Sequence, residues 1–156
     1  MKNIFTHQTT TIKRFENRYV KTKNYIMPEL KLKQMQYEIN TWLRLLGFML
    51  DENVHSKNRL TEILKYKFDE ALLEDMENFQ TRFIKEDADI AILKKEVTAL
   101  DSLLVREVFE DGAIIKAVRN KLKKVQTDMN NAEKQFSKLK NDFRSYLDVN
   151  IYKNEE

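Results

Sequence analysis

The chain contains no cysteine. That removes disulfides, thiolate nucleophiles and the cysteine-based zinc and iron–sulfur sites together, and it fits a reducing compartment. Proline and glycine are almost as scarce, with 1 Pro and 2 Gly in 156 residues, so few tight turns can be built and a turn-rich β architecture is disfavoured. Long apolar runs are missing too. The longest, Leu45 to Leu50, falls far short of the roughly 20 residues a membrane-spanning helix needs. Residues 1–11 lack the apolar core of a secretory signal, and a cytoplasmic location is expected.

What remains is a chain rich in charge (34%) that still carries 42% hydrophobic residues, including 9 Phe and 6 Tyr. Such a composition builds long, exposed helices around a real core. The charge is unevenly spread: +6 over residues 1–33, −7 over 34–112 and +4 over 113–156. Segments of opposite sign can neutralise one another within a bundle or across a dimer.

Apolar periodicity is the strongest signal. Ile115, Val118, Leu122, Val125, Met129, Ala132, Phe136, Leu139, Phe143 and Tyr146 follow one another in alternating steps of three and four. That spacing keeps one stripe of a helix against its neighbours for over four heptads, as in coiled coils and bundles. Ile90, Leu93, Val97, Leu100 and Leu104 repeat it over about residues 88–110, and Asp111-Gly112 between the two reads as a turn, with Gly112 in the left-handed conformation that ends a helix. A third stripe, Leu60, Ile63, Leu64, Phe68, Leu72, Met76, Phe79 and Phe83, predicts a helix over about 57–84. A fourth begins at Pro28 and carries Met35, Ile39, Trp42, Leu43, Leu46, Met49 and Leu50.

Two polar stretches read as the connections. Residues 51–58 suggest a loop, with an uninterrupted long helix as the alternative, and residues 85–89 suggest a break with Asp87 or Asp89 as N-cap. Gly47, inside a helix, is expected to admit a close neighbour or mark a bend. The expected fold is therefore all-α, an antiparallel bundle of four main helices over residues 27–156, with a basic N-terminal arm or short helix over 1–26. The last helix would span about 50 Å and its predecessor about 33 Å, leaving Phe136, Leu139, Phe143 and Tyr146 to be covered by earlier helices or by a second copy. Those four form the candidate partner surface.

Motifs for chemistry are thin. Glu52 and His55 have the Glu-x-x-His spacing of di-iron bundles, but the only other histidine, His7, has Ile4 three positions before it, so no second motif completes a site. As a phosphoryl acceptor His55 lacks its expected company, since phosphotransfer histidines carry Lys and often Gly three and four positions on, where Asn58 and Arg59 stand here. Gly-rich phosphate loops and nucleophile elbows are absent from the sequence. Lys13, Arg14, Arg18, Lys21 and Lys23, interleaved with Phe15, Tyr19 and Tyr25, make a candidate basic patch for nucleic acid or an acidic surface, and Lys116, Arg119, Lys121, Lys123 and Lys124 make a second. A solvated face is the simpler account of both.

The reading that follows is a non-enzymatic protein–protein interaction or assembly module that self-associates, with no cofactor, no metal, no catalytic residue and no membrane insertion. Binding of nucleic acid is the second reading, and histidine phosphotransfer the third.

Overall fold

The computed structural model describes the main chain of residues 5–67, 69–107 and 112–153, and the side chains of residues 31–67, 69–105 and 116–153. Every element is helical. Helix α1 spans Phe5–Tyr66, α2 spans Glu70–Glu107 and α3 spans Gly112–Leu147, which runs on into a π-helical turn, Asp148–Tyr152. The chain divides into two compact units, Met1–Glu38 and Ile39–Glu156. The first holds the opening part of α1, so Pro28 lies inside that helix and not at the start of one. The basic patch Lys13, Arg14, Arg18, Lys21 and Lys23 lies outside the residues with described side chains.

The second unit is a bundle of three helices, not four: the rest of α1, α2 and α3. Cross-helix contacts give their directions. Asn53 meets Glu86 while Leu60 and Ile63, further along α1, share a cluster with Leu72 and Met76, earlier in α2, and Phe79 meets Tyr146 while Glu96 meets Lys124, so α2 runs antiparallel to both neighbours. Phe48 meets Phe136 and Glu52 meets Lys140, so α1 and α3 run parallel.

Both expected connections are corrected. Residues 51–58 and 85–89 are uninterrupted helix, and the chain reverses instead between Tyr66 and Glu70, across residues 67–69, of which Phe68 lies outside the described residues. Asp69 caps α2, its Oδ1 accepting from the Ala71 N–H at 3.2 Å while its carbonyl accepts the Leu73 N–H at 2.9 Å. Periodicity hid this reversal. Leu60, Ile63 and Leu64 before the turn and Leu72 and Met76 after it feed one core, so the stripe passes through the turn without losing phase. Gly112, expected to close the preceding helix, opens α3, and residues 108–111 lie outside the described residues. Gly47 has no atom of another part of the chain within 4 Å of the position a Cβ would take, so it provides no close approach.

With α2 unbroken, the overhang disappears. Its 38 residues and the 36 of α3 make rods of about 57 and about 54 Å at about 1.5 Å per residue. At the end nearest the 67–69 turn, Leu60, Ile63, Leu72, Met76, Phe79, Phe83, Leu139, Phe143, Leu147 and Ile151 form one apolar cluster, with Leu64 and Tyr146 against it. Phe143 stands 5.2 Å from Phe79 and 5.4 Å from Phe83, ring centre to ring centre. Toward the other end the buried residues turn aliphatic: Leu46, Ile90, Leu93, Val97, Leu100, Leu104, Val118 and Val125. No described helix is long and apolar enough to cross a membrane.

Candidate functional site

The feature that departs most from a plain apolar bundle is a polar layer in its interior. Asn53 of α1 is 1% exposed and Glu86 of α2 is 8% exposed. The Asn53 amide donates to Glu86 Oε2 and to Asp87 Oδ1, both at 2.9 Å, and Lys57, one turn further along α1, is ion-paired with Asp87. No side-chain nitrogen or oxygen among the described buried residues is left without a hydrogen-bond partner. Burial pushes the Glu86 carboxyl above the usual carboxylate value; the Asn53 hydrogen bond opposes this, and neighbouring Asp87 adds to the rise.

The layer is made from the two stretches that look like loops in the sequence. Asn53 sits in phase with the buried Ile39, Leu46, Met49 and Leu60, and Glu86 falls between Phe83 and Ile90 in a stripe that steps by three and four from Leu72 to Leu104. A polar residue in phase with an apolar stripe on both sides marks a buried polar layer, whereas a true break shifts the phase. That was the signal available in the sequence. Such a layer sets register: sliding α1 by a turn along α2 would leave the Asn53 amide and the Glu86 carboxylate buried against hydrocarbon, at about 1–3 kcal/mol for each orphaned group.

The expected partner surface is placed inside the chain's own core. Phe136, Leu139 and Phe143 are at most 9% exposed. Tyr146 is half-buried with its ring 5.3 Å from that of Phe79, and burial together with the Asp75 carboxylate beside its hydroxyl pushes the phenol up to about 12. Earlier helices cover the stripe, and it presents no free surface to a second copy. On the α1/α3 side, Phe48 meets Phe136 edge-on at 6.3 Å, and Lys140 lies 5.7 Å from the Phe136 ring centre and is ion-paired with Glu52. That hydrogen-bonded lysine holds the Glu52 carboxyl below its ordinary value. His55 is exposed on α1 near Glu52, whose carboxylate is thus already engaged. Among the described residues no three metal-ligating side chains come together.

Between α2 and α3 runs an open groove of about 240 Å³ with Ile90 and Leu93 in its floor, continued by a smaller one of about 190 Å³; Glu86, Asp89 and Gln135 line both. Its charge is largely matched within the chain. Lys124 lies 3.2 Å from Glu96 and 2.7 Å from Asp128, which raises its pKa through the Asp128 hydrogen bond first, and Arg82 lies 2.6 Å from Asp142. Of the second basic cluster, Lys116, Arg119, Lys121 and Lys123 are exposed on α3. Comparison with protein-family models, curated proteins and solved structures finds no match to this chain.

Proposed function

We propose that this chain is a non-enzymatic protein–protein interaction module that assembles with copies of itself. The supporting observation is a pair of large apolar side chains left in water by a bundle whose core is already closed: Ile84 and Ile92, one turn to either side of Ala88, are 55% and 59% exposed on the outward side of α2. Single exposed apolar residues are ordinary, but two large ones flanking a small residue on the same side of a regular helix offer a contact surface. The buried ionisable groups have a structural use, holding α1 and α2 in register. Sedimentation equilibrium on the full chain tests the proposal. The mass should rise above 18.8 kDa as concentration increases, and a mass held there up to about millimolar concentration, where association weaker than about 4 kcal/mol would lie, removes self-association.

One observation favours a second reading, contact with a polyanion. The outward side of α3 carries Lys116, Lys123 and Lys134, none ion-paired among the described residues, with Asn120 and Thr127 between them and no acidic residue in the row. Phosphates along a nucleic acid would find cations there at helical spacing. Retention on DNA or RNA that falls with salt, and falls again in a Lys123→Glu, Lys134→Glu variant, is its expected result. A flat titration at low salt eliminates it.

A further inference from the structure

The outward face of α2 has a periodicity of its own. Ala88 is two residues from both Glu86 and Ile90, hence about 200° around the helix from each of these buried positions. Stepping from Ala88 toward the N-terminus by four, three, four, three and four reaches Ile84, Thr81, Glu77, Glu74 and Glu70. Stepping the other way by four, three, four and three reaches Ile92, Lys95, Ala99 and Ser102. All are exposed. The row is apolar and small at its centre, acidic at one end, and carries its only cation on the other side, and the spacing reads the same in both directions from Ala88.

We propose that this face pairs with the same face of a second copy, the two α2 helices antiparallel about a two-fold axis at Ala88. The pairing rests on the self-association proposed above and gives it a surface. A two-fold contact must be self-complementary, so a residue n positions before the axis meets one n positions after it. Ile84 then packs on the partner's Ile92 and Ile92 on the partner's Ile84, removing from water two of the large apolar side chains the bundle leaves exposed. Ala88 faces its own copy, where a methyl group permits close approach of the helices. Lys95 meets the partner's Thr81, with the partner's Glu77 one turn away on the same row; neither Lys95 nor Glu77 has an ion-pair partner among the described residues of its own chain. A parallel pairing would set Glu against Glu and Lys against Lys, so charge selects the antiparallel one.

The absence of cysteine makes the geometry directly testable in the full chain. Ala88→Cys should form a disulfide-linked dimer on mild oxidation, since the two positions face across the axis. Ser102→Cys should not, because its copy lies about 42 Å away along the pair at about 1.5 Å per residue, far beyond the roughly 7 Å a disulfide spans. A mixture of Glu74→Cys and Ser102→Cys chains should cross-link to each other. Ala88→Glu should weaken self-association by roughly tenfold or more, a cost of about 1.4 kcal/mol or more, with helicity by circular dichroism unchanged. If Ala88→Cys cross-links no faster than Ser102→Cys, or Ala88→Glu leaves the raised mass in place, this surface is wrong while self-association stands. A wild-type chain at 18.8 kDa throughout overturns both.

Discussion

The two sides of α2 carry the same three-and-four spacing with opposite exceptions. On the inner side one polar residue, Glu86, interrupts a row of apolar ones; on the outer side two large apolar residues, Ile84 and Ile92, interrupt a row of polar and small ones. Glu86 is answered within the chain, because Asn53 of α1 reaches it at 2.9 Å. The two isoleucines lie on the side facing away from the core. A buried polar group must find its partner before the chain can fold, while an exposed apolar group costs folding almost nothing, since the unfolded chain exposes it as well. The inner exception is therefore a constraint on the fold, and the outer one is free to serve association.

That difference can be pressed from both sides, and the inner side should respond most. Phe83 is 1% exposed and packs edge-on against Phe143. Truncating it, Phe83→Ala, should lower unfolding free energy by about 3–5 kcal/mol in urea or guanidinium titration, through lost burial plus the cavity left behind. Asn53→Ala should cost about 1–3 kcal/mol, because the Glu86 carboxylate stays buried without its donor. A cost within a few tenths of a kcal/mol would mean that the layer is not a constraint.

Glu86→Gln separates charge from hydrogen bonding. A carboxyl whose folded pKa lies above its unfolded one binds a proton more readily in the native state, so its ionisation costs stability as pH rises and the cost fades as pH falls through the folded value. The variant should thus gain on wild type as pH is raised from about 4.5 to neutrality, by about 1 kcal/mol or less for a group still hydrogen-bonded to Asn53. Thermal melts at a series of pH values read this out, and a difference that does not move with pH, or moves the other way, contradicts a desolvated carboxylate. On the outer side, Ile92→Lys should leave unfolding free energy within about 0.5 kcal/mol of wild type in dilute solution. A loss several times larger would show that the isoleucine packs within the chain.

Much of the architecture was legible from spacing. The stripes of α2 and α3, the hairpin they form and the all-helical class follow from apolar residues recurring at three and four. The helix count did not follow, because two cues misled in opposite ways. Polar residues at 51–58 and 85–89 resembled connections, although neither stretch contains glycine or proline and the stripes on either side keep phase. The real reversal at 67–69 was silent, because Leu64 and Leu72 enter the same cluster from both sides of it. Likewise, Phe136, Leu139 and Phe143 were recognisable as needing cover, but not what covers them.

The sequence by itself determined which residues must leave water and that helices would carry them, since these depend on side-chain chemistry and on a local backbone period that each segment holds alone. Only the tertiary structure decided where the chain turns and what closes over each stripe. It also decided that Asn53, Lys57, Glu86 and Asp87 form one layer and not two loops. The reason is that a polar side chain is buried or exposed according to a partner some thirty residues away, and local spacing contains nothing about that partner.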